Sequence, residues 1–232
     1  EFAHFYQTFG TEVTIIEALP NILPVEDEDI SIELEKLFKK RKMNIFTNTM
    51  VEKIEKNKSK VKVHLKGGEI IEADKALIAV GVQGNIENLG LEDCNITVEE
   101  GWIKVNEYME TSLSNVYAIG DVAGPPWLAH VASAEGITAV EHLAGLNPDP
   151  MKYDNIPGCT YCHPEVASVG LTEKAAKEKG YEVKIGSFPF RGLGKSMAVG
   201  DTDGFVKVVY DAKYGEMLGC HILWGRSHQS YH

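Results

Sequence analysis

Four cysteines in 232 residues are too few to staple a fold of this length, which excludes a disulfide scaffold and favours buried thiols in a reducing compartment. No apolar stretch approaches the roughly 18 to 20 residues that cross a bilayer, so no membrane span is expected. Basic residues are scarce: 23 Lys and Arg stand against 34 Asp and Glu, and the net charge of -11 argues against a nucleic-acid surface. The nearest approach to a basic run, Lys36 to Lys42, reads as the cationic end of a helix with its acidic residues towards the start, the order that the helix dipole favours. Low-complexity tracts and internal repeats are missing too. Glu1-Phe2-Ala3-His4 has neither the basic nor the apolar region of a signal peptide. The first residue is not Met, and Phe2 to Phe9 reads as the inside of a helix already under way, so the expectation is an internal piece of a longer protein.

What is present is alternating and mixed. Phe2, Phe5, Tyr6 and Phe9 recur at helical spacing and Gly10 is a natural stop. Val13 to Glu17 is a short β-branched run of the kind found in buried parallel strands. A helix is expected from about Ser31 to Lys42, with Ile30, Leu34, Leu37 and Phe38 on one face. Three short strands follow (about 51–55, 60–65 and 69–72), the last two joined at Gly67-Gly68, and Lys75 to Val80 reads as another buried strand ending at Gly81. This order suggests an α/β nucleotide-binding domain without its first strand. From near Gly84 a second unit holds a strand at Val116 to Ile119 and a long helix from about Ala129 to Leu143, closed by Gly145. Asn147-Pro148-Asp149-Pro150 is the clearest linker. Beyond Pro157, strands at 166–169, 183–188, 205–210 and 217–223 around a helix at 173–179 predict an α+β domain with a largely antiparallel sheet.

Two places carry chemistry. Glu17 closes its strand, where a carboxylate can accept hydrogen bonds from both ribose hydroxyls of an adenosine and repel a 2′-phosphate; the plainer alternative is a solvent-facing glutamate. Thr111-Ser112-Leu113-Ser114-Asn115-Val116-Tyr117-Ala118-Ile119-Gly120-Asp121 is the stronger signal. At Gly120 the missing Cβ lets backbone approach a ligand, and Asp121 presents a carboxylate at the strand's end. A bare Gly-Asp pair is usually a turn. Its whole context, however, matches the second FAD-binding motif of flavoproteins with two dinucleotide-binding domains.

The segment Trp127-Leu128-Ala129-His130-Val131-Ala132-Ser133-Ala134-Glu135-Gly136 then resembles the pyridine nucleotide-disulfide oxidoreductases, and among them the dihydrolipoamide dehydrogenases, which read LAH-x-A-x-x-EG here. Pro157-Gly158-Cys159-Thr160-Tyr161-Cys162-His163-Pro164-Glu165-Val166-Ala167 is similar to the opening of that family's interface domain, and the likeness runs to about Ile222. Gly81-Val82-Gln83-Gly84-Asn85 departs from the Gly-Arg-x-Pro-Asn common there, and Trp224 to His232 no longer follows the family and reads as a foreign end.

The resemblance implies a truncated Rossmann-like NAD-binding domain (1–82), a central FAD-contacting segment (83–150) and a partial α+β interface, or dimerisation, domain (151–232), α/β and α+β in class. It implies FAD and NAD as cofactors. Glu17, Val51, Ala79, Val80 and Gly81 would face NAD, and Gly120, Asp121, Trp127, Leu128, Ala129 and His130 would cradle FAD. A helix starting near Ala129 would aim its N–H groups and positive dipole end at the flavin pyrimidine ring. In that family a thiolate attacks a redox disulfide beside the flavin, a His-Glu pair from the partner subunit handles the proton, and hydride passes to NAD. The redox cysteines and the His-Pro segment are not found in this chain, so no catalytic residue and no metal ligand is assigned. A homodimer is implied, as is service to the lipoyl domains of 2-oxo acid dehydrogenase complexes or the glycine cleavage system. The implied location is the cytoplasm, or the mitochondrial matrix in a eukaryote. Alternatives are another flavin disulfide reductase (a mercuric reductase or soluble transhydrogenase), a haem-binding electron carrier using Cys159-x-x-Cys162-His163, or a non-catalytic self-associating domain. The strand expected around both cysteines would point them to opposite faces, against a shared function.

Overall fold

A computed structural model describes residues 1–225. In chain order the elements are α1 (Phe2–Thr8), β1 (Thr14–Ile16), α2 (Glu28–Lys40), β2 (Asn44–Phe46), β3 (Val51–Lys56), β4 (Val61–Leu65), β5 (Ile70–Ala73), β6 (Val98–Glu99), β7 (Trp102–Ile103), α3 (Ala129–Leu143), β8 (Gly158–Thr160), β9 (Glu165–Gly170), α4 (Glu173–Glu178), β10 (Val183–Pro189), α5 (Gly194–Val199), β11 (Phe205–Asp211) and β12 (Met217–Trp224). They fall into two compact units, Glu1–Leu77 with the chain from Pro157 onward, and Ile78–Ile156. Among the described residues no helix is long and apolar enough to cross a membrane.

In the first unit β1 pairs in parallel with β2, and β3-β4-β5 form an antiparallel meander turning at Gly67-Gly68. A five-stranded antiparallel sheet of order β10-β11-β12-β9-β8 fills the remainder. Gly219 is needed in β12 because any Cβ there would collide with the Leu171 carbonyl across the sheet. The apolar stripe of α2 (Ile30, Leu34, Leu37, Phe38) packs with Met43, Cys162, Val166 and Leu223, so the N-terminal segment and the sheet share one core. That helix starts and ends earlier than the spacing suggests. Asp27 caps it by accepting from Asp29 N–H at 3.1 Å, and the left-handed Lys42 (φ 67) lies beyond its end.

Asp27 does more than cap. Its Oδ1 lies 2.9 Å from Lys207 Nζ, and Oδ2 accepts from Glu173 N–H at 3.1 Å. Lys207 also reaches Asp29 at 2.6 Å and Glu173 at 2.7 Å, with both Lys207 and Asp27 almost wholly buried. Burial alone would lower the lysine's pKa, but its hydrogen bonds to Asp29, Glu173 and Asp27 outweigh that and raise it. The cluster ties α2 to β11 and α4.

The second unit has a small core of Leu91, Ile103 and Ala118, with Ile86, Ile96, Val105 and Val122 against it. α3 runs as expected and stops before Gly145 (φ +73). Two expected strands do not form. Lys75 to Val80 is irregular and exposed, with Val80 at 91 %. An apolar β-branched run becomes a strand only where a neighbour offers its ladder, and among the described residues none pairs with it. Val116 to Ile119 is held by one isolated bridge, Glu110 to Tyr117, and by Ala118 N–H donating to the Met109 carbonyl.

Candidate functional site

The chain is pinned on both sides of Glu17. Its N–H donates to the Phe46 carbonyl at 2.8 Å, and its own carbonyl accepts from Thr49 N–H at 2.9 Å. The half-buried side chain then bends back, Oε1 accepting from Leu19 N–H at 2.8 Å. The carboxylate is thus oriented at the carboxyl end of a parallel strand, the position from which such folds address ligands. The bond from Thr49 draws the approach to β3 alongside, and Val51, paired with Leu65, opens that strand half-buried. Ala79, Val80 and Gly81 are exposed in the irregular stretch that begins the other unit, and Gly81 has φ +129 with open space where a Cβ would stand.

In that second unit the remaining residues lie along one stretch of chain. Gly120 (φ +70) begins a short 3-10 turn, Gly120–Ala123, on which Asp121 is exposed. Trp127 packs its ring 5.3 Å from that of Trp102 while staying 40 % exposed. Leu128 occupies the N-cap of α3 and contributes no side-chain acceptor, so the first turn of a 15-residue helix starts without a capping carboxylate or hydroxyl. Ala129 and His130 are exposed in that turn. An exposed carboxylate offers an acceptor for hydroxyls and an uncapped helix start offers a positive end for an anionic ring, so these residues fit a flavin in chemistry.

Two further residues bear on this turn, Glu135 and Tyr153. Glu135 lies within the Trp127 to Gly136 motif, and Tyr153 lies outside every motif. Buried Glu135 accepts from Gly120 N–H at 2.6 Å and from the Tyr153 hydroxyl at 2.9 Å.

The two cysteines do not share a strand as expected. Cys159 lies on β8, and Cys162 follows in a bend that buries it in the core, its Sγ 3.1 Å from the Pro164 carbonyl. Burial, then nearby carboxylates, pushes the Cys159 thiol up to about 11. Burial pushes Cys162 up to about 12. Thiols held so firmly protonated are poor nucleophiles and poor metal ligands. No group of metal-binding side chains exists among the described residues.

Comparison with known proteins follows this geometry. Residues 1–136 match the family model of pyridine nucleotide-disulphide oxidoreductases, and residues 156–229 match that family's dimerisation domain. The second match passes residue 224, where the motif reading left the family, and Trp224 closes β12 with its ring stacked 4.8 Å from Phe190; residues 226–232 lie outside the described chain. Dihydrolipoyl dehydrogenase of Rhizobium etli is 47% identical over 228 residues, covering 96% of this chain and 47% of the relative. That of Bacillus subtilis is also 47% identical, with 48% of its length covered. Among solved structures, LpdA from Mycobacterium tuberculosis aligns with TM-score 0.90 at 26% identity, over 99% of this chain and 50% of that one. The HOCl-induced flavoprotein disulfide reductase RclA from Escherichia coli gives TM-score 0.90 at 29% identity, over 98% and 53%. The chain spans about half the length of the relatives it matches.

Proposed function

The chain belongs to the pyridine nucleotide-disulphide oxidoreductase family and is dihydrolipoyl dehydrogenase-like, and on that premise we propose that it supplies the NAD-facing and flavin-cradling parts of a dihydrolipoamide dehydrogenase. The segments are 1–82 towards NAD, 83–150 towards FAD and 151–232 for pairing with a second copy. The observation that carries the reading is the turn Gly120–Ala123, which exposes Asp121 on the chain leading to the uncapped start of α3 at Ala129.

When bound, the flavin supplies a two-electron relay between a dithiol and a nicotinamide. The chain's own residues bind and polarise. Asp121 accepts from the ribityl hydroxyls. The N–H groups at the start of α3, with Leu128, Ala129 and His130, stabilise negative charge on the ring. Trp127, set against Trp102, walls off water. Glu17 accepts from the ribose hydroxyls of NAD and Val51 faces the same cofactor; the family resemblance assigns Ala79, Val80 and Gly81 to NAD as well. No catalytic residue is assigned within the chain, because no segment of it matches the family's redox-cysteine or His-Pro motifs. The oxidation of protein-bound dihydrolipoamide, on lipoyl domains of 2-oxo acid dehydrogenase complexes or the glycine cleavage system, is proposed for the complete homodimeric enzyme.

The test is Asp121→Ala in the complete flavoprotein. Losing charge-assisted hydrogen bonds worth about 1.5 to 3 kcal/mol each should strip flavin from the purified protein. Retention at wild-type affinity would show that the cradle lies elsewhere. This chain alone, given FAD, dihydrolipoamide and NAD, should form no NADH, and robust turnover would overturn the division of labour.

A further inference from the structure

The buried face of α3 reads Val131, Glu135, Thr138 and Ala139, a helical stripe with a carboxylate in its middle. A Leu or Met could fill that place without cost, whereas a carboxylate at 4 % exposure is tolerated only with partners for its oxygens. Both oxygens have one. Oε2 accepts from Gly120 N–H at 2.6 Å, and Oε1 accepts from the Tyr153 hydroxyl at 2.9 Å. The rest of the seat is built from neighbours on the same face. A Cβ on Gly120 would stand 3.3 Å from the Ala132 Cβ, and a Cβ on Gly136 would stand 3.3 Å from Ile119 Cδ1. Residues 132, 135 and 136 are thus spaced i, i+3 and i+4, and Gly120 with the Ile119 side chain lies against that face of the helix. Tyr153 is kept protonated as a donor, because burial and then the Glu135 carboxylate raise its pKa.

We propose that Glu135 is a positioning residue for the flavin cradle: its carboxylate clamps the Gly120 N–H and the Tyr153 hydroxyl together and so fixes the turn that presents Asp121. The inference rests on the reading of Gly120–Ala123 as that cradle. The clamp explains why a charge is kept where an apolar residue would pack, since departures from local rules collect where a site demands them. It also makes the segment at Tyr153 part of the site, which no contact with flavin would require.

The experiment sets Glu135→Gln, Tyr153→Phe and Asp121→Ala side by side in the complete flavoprotein. Gln keeps the size but has one carbonyl oxygen and no charge. If that oxygen holds the Gly120 N–H, its amide can only donate to the Tyr153 hydroxyl, which reverses one bond and removes the charge assistance from both. Flavin Kd should rise at least about tenfold in Glu135→Gln and about threefold in Tyr153→Phe, with wild-type circular dichroism in both. Hydrogen exchange should quicken at least about tenfold in the peptide spanning residues 117–123 while the amides of α3 stay unchanged, a pattern that mere loosening of the helix would not give. If Asp121→Ala loses flavin while both other variants hold it at wild-type Kd, the clamp is overturned and the cradle stands. If Asp121→Ala keeps its flavin, the cradle reading fails and takes the clamp with it. Should Glu135→Gln not fold, Tyr153→Phe decides, and a wild-type Kd there overturns the proposal.

Discussion

At Lys207 a buried ammonium meets three carboxylates, of which Asp27 alone is fully buried; around Gly120 one buried carboxylate meets uncharged donors and Asp121, next in the chain, stays in solvent. Asp27 has both oxygens answered within the fold, by Lys207 and by the Glu173 N–H, while Glu173 also pairs with Lys177 and Asp29 reaches Lys207 from the exposed surface. Glu135 is answered too, but by a backbone N–H and a hydroxyl that carry no charge, and its effect is to hold a second carboxylate in place. The first arrangement is a structural lock and the second a presentation. Burial alone does not tell them apart, for Asp27 and Glu135 are equally hidden. What differs is the partner: Asp27 is met by an ammonium, and Glu135 by the backbone N–H of the turn that carries Asp121.

That contrast breaks first, and hardest, at Lys207. Lys207→Met keeps the stem but leaves Asp27 buried without its counter-charge, which should cost about 3 to 5 kcal/mol. Chemical denaturation of the chain measures it, and a loss under about 1 kcal/mol would mean that the lock carries little. Asp121→Ala, in the same assay, should change stability by no more than about 0.5 kcal/mol, as expected of an exposed side chain. A large loss there would erase the distinction between lock and presentation.

Glu17 sharpens the comparison from a third position, where the carboxylate is half-buried and bent onto Leu19 N–H. In the complete enzyme, Glu17→Ala should weaken NAD and relieve the repulsion of a 2′-phosphate. The ratio of kcat/KM for NAD over NADP should fall by at least about tenfold, equivalent to roughly 1.4 kcal/mol. An unchanged ratio would make Glu17 a turn residue and nothing more.

Legibility in the sequence followed the same physical line. α3 and the sheet strands from β9 to β12 were readable within a few residues because long periodic elements carry their own signal. β2, of three residues, and α5, of six, were missed because neither spans enough of a period to show one. Lys75 to Val80 was misread for another reason: composition gives a segment's preference for extended backbone but says nothing of whether a partner strand is at hand. At the site, Asp121 was visible through its motif. The part played by Glu135 was not, since a partnership between residues 120, 135 and 153 exists only once the helix is laid over the turn. Likewise the lock around Lys207 joins residues 178 and 180 positions apart, a spacing that no local pattern reveals.

The smallest expected effect concerns the cysteines, and it separates a motif from a site. Cys159-x-x-Cys162-His163 invites a redox or haem reading, yet both thiols sit well above their ordinary range, Cys162 at about 12 and Cys159 at about 11, with burial as the leading cause in each. A thiol whose folded pKa is raised stays neutral in the fold while the unfolded chain, with its ordinary value of 9.0, ionises. Its contribution is therefore fully present below pH 9 and is lost as pH climbs from there towards 12, so the neutral range sees none of that loss. At pH 8 a small alkylating reagent should label exposed Cys94 first and leave Cys162 last, because thiolate at Cys162 is scarce and the sulfur is buried. Mass spectrometry of the digested, labelled chain gives the order. Replacing Cys159 with Ser should leave flavin Kd in the complete protein within about twofold of wild type, since the proposed cradle uses no residue of β8. Rapid labelling of Cys162, or loss of flavin on Cys159→Ser, would return the pair to the list of functional groups and make a third kind of buried polar site in the chain, one that is reactive.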